Sequence, residues 1–243
     1  MIDIKNVTFG YTPSEKVLEN FSLKFQDGGV YGLLGKNGTG KSTLLYLITG
    51  LLRAQHGTVE IDGVPAEKRQ ADTLAELFIV PEEYDLPPVS LQNYVKSLKP
   101  FYPRFSDELL EKCLKEFEMP SDVNLGALSM GQKKKVYISI ALAANTRYLL
   151  LDEPTNGLDI LSKSLFRKVV VAGMGEDNNL EDERNAKTII ISTHQVHDVE
   201  HLLDHVVIID RNSVLLDQKL EETDEAPIDI EKLFIETLTK KDY

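Results

Sequence analysis

The segment Gly35-Lys36-Asn37-Gly38-Thr39-Gly40-Lys41-Ser42-Thr43 fits the pattern G-x-x-x-x-G-K-[ST]. Before it runs an apolar stretch, Val30-Tyr31-Gly32-Leu33-Leu34, and after it come Leu44, Leu45, Leu47 and Ile48. The first stretch suits a strand buried on both faces, and the second suits a helix. Glycines let successive backbone N–H groups turn toward one anion without a Cβ in the way. The start of the helix adds a positive end. Lys41 can reach the β- and γ-phosphates as a point charge, and Ser42 can offer its hydroxyl to Mg²⁺. The loop as a whole, with Asn37, Thr39 and Thr43, is expected to hold a nucleoside triphosphate. Kinases, GTPases and motor proteins share the pattern, so other segments must narrow the class.

Working outward, Ile2 and Ile4, then Phe21, Leu23 and Phe25, alternate with polar residues as strands do, and Asp27-Gly28-Gly29 is a turn. Thr58 to Asp62 reads as a short strand closed by Gly63. Past about Ser90 the period changes. Leu91, Tyr94, Val95 and Leu98 fall at helical spacing, as do Leu109, Cys113, Leu114 and Phe117, punctuated by Pro100, Pro103 and Pro120. Tyr148 to Leu151, Thr188 to Ser192 and Val206 to Ile209 are buried-strand candidates separated by helices, which argues for a largely parallel sheet. Arg211-Asn212-Ser213 turns into an edge hairpin at Val214-Leu215-Leu216. The acidic, Asn-rich stretch from Gly173 to Ala186 reads as a solvated loop. Ile230, Leu233, Phe234 and Leu238 form one face of a closing helix.

The 243 residues carry 27 basic and 39 acidic side chains, a net charge of -12, so attraction to a nucleic-acid backbone is not expected as the main activity. The lone cysteine, Cys113, cannot form an internal disulfide, and its place on a helix face reads as apolar packing. No Cys/His group has zinc spacing. Neither a secretory signal nor an apolar run long enough to span a bilayer is visible, so the chain reads as cytoplasmic.

Arg147-Tyr148-Leu149-Leu150-Leu151-Asp152-Glu153 is an apolar strand ending in two carboxylates. Asp152 suits a Mg²⁺ shell through water, and Glu153 could polarise an attacking water beside a γ-phosphate. The bland alternative is a helix cap, since Pro154 follows. Leu128-Ser129-Met130-Gly131-Gln132 lies between the phosphate loop and this strand end, and closely resembles the L-S-G-G-Q signature of ATP-binding cassette (ABC) proteins. Ser129 and Gly131 stand where a helix begins, with Val136, Ile140 and Ala143 behind them, making a second anion-binding helix start.

The resemblance covers nearly the whole chain. It implies an α/β fold: a P-loop NTPase core with a mostly parallel sheet, an N-terminal antiparallel β-subdomain and an inserted α-helical subdomain. It further implies a single domain over 1–243, the helical part at roughly 88–145 and the closing helix at roughly 228–240. Tyr11 resembles the aromatic residue on which adenine stacks. Asn156-Gly157-Leu158-Asp159 resembles the D-loop that meets a partner subunit, and His194 resembles the switch histidine at the γ-phosphate. The family implies ATP and Mg²⁺ as ligands, with the signature residues Ser129, Gly131 and Gln132 of one subunit closing on ATP held by the other. It also implies a homodimer or heterodimer of cassettes on a transmembrane permease, at the cytoplasmic face of the cell membrane. The single closing helix is more like those of exporter cassettes than of sugar importers. A soluble ATPase acting on ribosomes or nucleic acid is the rival, but such members usually carry two cassettes or a long coiled-coil insertion. A non-hydrolytic regulator is disfavoured by Asp152, Glu153 and His194.

Three positions depart from bland expectation. Glu82, after Phe78-Ile79-Val80-Pro81, stands where the family has a Gln whose neutral oxygen ligates Mg²⁺. A carboxylate there would hold the metal more strongly but repel the γ-phosphate. Met130 replaces the first signature glycine and must point away from nucleotide. Lys133-Lys134-Lys135 reads as a solvated helix face, with attraction of partner acids or ATP as the alternative.

Overall fold

The apolar run before the phosphate loop forms β3 (Gly29–Leu34), an interior strand of a six-stranded sheet. In this computed structural model residues 1–12, 14–174, 186–220 and 229–239 are described. The sheet runs in the order β10-β9-β3-β8-β7-β6, with β6 (Leu77–Val80), β7 (Tyr148–Asp152), β8 (Thr188–Thr193) and β9 (His205–Asp210). The neighbours β6 to β7, β7 to β8, β8 to β3 and β3 to β9 are all parallel. Only β10 (Ser213–Lys219) is antiparallel, pairing with β9 as the expected edge hairpin. Every residue of β7 and β8 is buried, as a strand covered on both faces requires.

The two faces of this sheet feed two cores. On one face Tyr148, Leu150, Ile190, Val207 and Ile209 pack with α1 (Lys41–Ile48) and the N-terminal strands. Those strands form a four-stranded antiparallel sheet, β2-β1-β4-β5, built from β1 (Ile2–Phe9), β2 (Leu18–Phe25), β4 (His56–Ile61) and β5 (Val64–Pro65). On the other face Leu149, Leu151, Ile189 and Ile191 pack against helices. After the short α2 (Ala71–Ala75), these are α3 (Leu91–Leu98), α4 (Asp107–Glu116), α5 (Met130–Ala143) and α6 (Ile160–Met174). Helices α3 to α5 enter the chain between β6 and β7. Ser90, Ser106 and Ser129 cap their starts by accepting hydrogen bonds from the main-chain N–H groups of Asn93, Leu109 and Gln132. Cys113 is fully buried in this core. The closing helix is α7 (Ile230–Thr239), seated by Ile230. The solvated-loop reading of Gly173 to Ala186 falls mostly on residues outside those described.

Lys187 holds the far ends of two helices. Its ammonium donates to the carbonyls of Gly173, 2.8 Å away, and Leu142, 3.5 Å away, near the C-termini of α6 and α5. Those termini carry unsatisfied carbonyls and partial negative charge, which a lysine complements. The side chain is 7% exposed, and burial pushes its ammonium down to about 8. Below that value both folded and unfolded chains carry the proton. Above it, and up to the unfolded value, only the unfolded chain does, so stability rises with pH across that window. Between about pH 7.5 and 9.5 the wild-type chain should gain on the order of 2 kcal/mol over Lys187→Met. Urea unfolding at both pH values checks this, and parallel pH dependence in the two proteins would show that burial does not lower the Lys187 ammonium.

Candidate ATP-binding and hydrolysis site

Parallel pairing brings the C-terminal ends of β3, β8 and β7 to one edge of the sheet. The phosphate loop leaves the end of β3. Gly40 takes φ +98° at the start of α1, a left-handed conformation that side chains rarely adopt. At Gly35 a Cβ would come within 2.7 Å of the Ile209 carbonyl and of Thr39 Oγ1, so only glycine lets the loop close. Lys41 is buried and folds back on its own loop, donating to the carbonyls of Gly35 at 2.9 Å and Lys36 at 3.3 Å. Thr39 Oγ1 also donates to the Lys36 carbonyl. Lys36, Asn37 and Gly38 are exposed at the loop's tip. Tyr11, 63% exposed, stands on Phe9 edge to face, and its hydroxyl lies 3.2 Å from Thr43 Oγ1. An exposed aromatic face is thereby fixed beside the loop.

The two acids at the end of β7 have different surroundings. Ser192 at the end of β8 donates to Asp152 Oδ1, and Oδ2 is buried without a direct hydrogen-bond partner. Burial pushes the Asp152 carboxyl upward. The Ser192 hydrogen bond and the nearby Ser42 hydroxyl oppose that, while Glu153 and Glu82 add to it. A buried oxygen with spare acceptor capacity beside the Ser42 hydroxyl fits a hard divalent cation, whose remaining ligands would be water and phosphate oxygens. Among the described residues no group of three or more His, Cys, Asp or Glu side chains could hold a metal alone.

Glu153 lies just beyond the strand at φ +44°, unusual for a residue with a side chain. Its carboxylate collects partners from two other strand ends. Thr193 Oγ1 donates to Oε2 at 2.9 Å, the His194 main-chain N–H donates to Oε1 at 3.1 Å, and His194 Nδ1 stands 2.8 Å from Oε1. Lys41 Nζ is 3.5 Å from the same oxygen. Lysine, carboxylate and imidazole therefore meet at one point, and the helix-cap alternative for the acid pair does not describe Glu153.

The other expected residues lie farther out. Ser129 Oγ accepts from the Gln132 N–H and Gln132 Oε1 accepts from the Ser129 N–H, a reciprocal cap that leaves Ser129 and Gln132 at the surface. Gly131 runs beside the D-loop: a Cβ there would sit 3.5 Å from the Gly157 carbonyl. Met130 is 80% exposed. Asp159 is engaged locally, its carboxylate capping α6 through the Ser162 N–H and hydroxyl, both at 2.8 Å. Glu82 Oε1 accepts from Asn156 Nδ2 at 2.8 Å, which ties this acid to the D-loop.

One expectation is corrected. Lys134 is not on a solvated face: it is 5% exposed and donates to the carbonyls of Asn156 at 2.8 Å and Glu153 at 3.2 Å. Three consecutive lysines at 100° per residue cannot share one helix face, and the middle one turns inward. Sequence reasoning also passed over Ser192, Thr193 and Gln195. The signal was there: two hydroxyl residues end an otherwise isoleucine-rich strand just before His194.

Residues 18–156 match the family model described as ABC transporter, and the chain belongs to that family of ATP-binding, ATP-hydrolysing proteins. It is 27% identical over 234 residues to the ABC transporter ATP-binding protein YtrB of Bacillus subtilis, covering 96% of this chain and 77% of that one. To the zinc uptake system ATP-binding protein ZurA of Listeria innocua it is 30% identical, covering 88% and 84%. The dimeric structure of MJ0796, a bacterial ABC transporter cassette, superposes with a TM-score of 0.72 at 26% identity, covering 92% of this chain and all of that one.

The carboxylate at position 82 gives a direct test of its surroundings. Glu82→Gln should shift the Mg²⁺ midpoint of ATP hydrolysis several-fold while keeping more than about a tenth of the turnover, because charge near Asp152 changes and Glu153 does not. An unchanged Mg²⁺ titration would remove Glu82 from the metal's surroundings.

Proposed function

We propose that this chain is the ATPase subunit of an ABC transporter, that two cassettes close on ATP at a shared interface, and that they energise export of a substrate through a separate transmembrane permease. The observation that carries the pairing is a separation. Two phosphate-binding helix starts occur on one chain, at Gly40 and at Ser129, and among the described residues no hydrogen bond or ion pair joins residues 129–132 to residues 35–43. A second copy, or a related cassette, would bring the missing start to each nucleotide.

ATP is then expected to stack on Tyr11 and to lay its phosphates along Gly35 to Thr43. Lys41 donates to the carbonyls of Gly35 and Lys36 and lies 3.5 Å from Glu153 Oε1, and phosphate oxygens would be stronger hydrogen-bond partners than the carbonyls. Mg²⁺, held by Ser42 and through water by Asp152, would supply positive charge against the phosphates. Glu153 orients the attacking water, and its hydrogen bonds from Thr193 and His194 fix its direction before nucleotide arrives. His194 meets the γ-phosphate, and Ser129 and Gly131 of the partner cassette would grip the same group. Loss of that group on hydrolysis removes the shared anion and lets the pair open.

One surface of this chain would suit the membrane chain. A cleft of about 690 Å³ lies between the core and the helical insert, lined by Leu51, Arg69, Leu74, Phe101 and Tyr137, with Phe101 69% and Leu51 55% exposed. Among the described residues no helix is long and apolar enough to cross a membrane. The expected place is the cytoplasmic face of the membrane, held there by the permease. The export direction rests on the likeness of the closing helix to those of exporter cassettes, while an uptake cassette stands among the relatives. Vesicle transport with the co-purified permease decides it.

Glu153→Gln should lower ATP turnover by about a hundredfold and accumulate an ATP-bound dimer on size exclusion, whereas Lys41→Ala should neither hydrolyse nor dimerise. Wild-type turnover in the Glu153 variant would take that residue out of the reaction. A monomer under all nucleotide conditions, with no membrane companion co-purifying, would overturn the paired mechanism.

A further inference from the structure

The interior partners of Lys134 form an arrangement that the ATPase reading does not use. Its ammonium touches only neutral atoms directly, the carbonyls of Asn156 and Glu153. Carrying a charge into a dry interior costs several kcal/mol unless opposite charge lies near. Burial lowers the Lys134 ammonium from its ordinary value, and Glu82, Glu153 and Asp152 lie close enough to oppose that lowering.

Asn156 is where these groups meet. Lys134 donates to its main-chain carbonyl at 2.8 Å. Its side-chain amide donates to Glu82 Oε1 at 2.8 Å, and its side-chain oxygen accepts from Gln195 Nε2 at 2.9 Å. Gln195 in turn accepts from Lys163, which pairs with Asp198 at 2.7 Å. One asparagine is thus fixed from the signature helix, from the loop after β6 and from the segment after the switch histidine. The turn it closes begins at Glu153, whose carbonyl accepts from the Asn156 N–H at 3.2 Å. The same carbonyl accepts from Lys134, so the left-handed backbone of Glu153 is held from beneath by the ammonium.

We propose that Lys134 is a positioning residue for ATP hydrolysis: its ammonium holds the Glu153–Asn156 turn in register and balances the carboxylate that stands at Glu82. This rests on the assignment of Glu153 to the attacking water. A neutral glutamine at position 82 would place one carboxylate fewer around the lysine, and a neutral residue at 134 would leave Glu82 uncompensated. The two positions are therefore energetically coupled, and changing both is milder than the single changes imply.

The test is a double-mutant cycle on the full chain: wild type, Glu82→Gln, Lys134→Met and the double variant. Steady-state ATPase kinetics are measured on each, and urea unfolding is measured without nucleotide or Mg²⁺. Lys134→Met should lower kcat about tenfold while KM for ATP moves less than about twofold, since the phosphate loop is untouched. Adding Glu82→Gln should recover a large part of the lost kcat, and unfolding without nucleotide should show the same favourable coupling. If Lys134→Met is too unstable to purify, Lys134→Gln takes its place in the cycle. Strict additivity in both measurements, or a rise in KM at unchanged kcat, would overturn the proposal. Trapping of an ATP-bound dimer by Glu153→Gln reports separately on Glu153, so additivity alongside intact trapping would sink Lys134 alone.

Discussion

Everything at the site depends on parallel pairing between β3, β8 and β7. Strands that run together end together, so the loop after β3, the hydroxyls ending β8 and the acids ending β7 arrive at one edge without any long-range search. The registers Leu34 opposite Thr193 and Asp152 opposite Ser192 set this at the level of single residues. A slip by one residue would turn Ser192 away from Asp152 and Thr193 away from Glu153. Apolar packing on both faces of the sheet fixes that register, and the chemistry is built on it.

The cost of the arrangement is concentrated in a few polar groups. Asp152 and Glu153 are both buried, and so are Lys41 and Lys134. Two acids side by side in a dry place repel, and each is met differently. Asp152 keeps one oxygen with no direct partner, as the proposed cation site requires. Glu153 is satisfied by Thr193, His194 and Lys41, which prepares its direction. The left-handed backbone at Glu153 separates the two roles by turning the second side chain away from the strand's alternation. Strain of this kind costs of order 1 kcal/mol or more and persists where the surroundings over-determine it.

What the sequence made legible follows the physics of local patterns. The phosphate loop was readable because glycine spacing, a lysine and a flanking strand and helix are all local. The buried strands were readable from Tyr148–Leu151 and Thr188–Ser192 because isoleucine and leucine runs allow few other fates. Lys134 was misread because composition around it is basic, and helical rotation alone does not say which of three lysines faces the protein. Glu82 was singled out by order along the chain, yet its partner Asn156 is 74 residues away and no local pattern announces such a bond. The conformation of Glu153 was invisible for the same reason: φ +44° is imposed by Ser192, Lys134 and the turn to Asn156, not by glutamate's own preference.

Helix α5 is where the outward and inward parts of the molecule are tied together. Its first turn exposes Ser129 and Met130, available to a second chain. One turn later Lys134 holds the D-loop, and Tyr137 packs with its ring tilted 50° and 4.6 Å from that of Tyr84, on the loop that carries Glu82. Tyr137 also lies against Phe78 and lines the cleft beneath the helical insert. A stiff element touched at three places transmits displacement rather than absorbing it, because close-packed contacts do not deform continuously. A pull on Ser129 from a nucleotide held elsewhere would therefore reach Asn156 and Tyr84 through one helix, and the cleft would feel it through the same tyrosine.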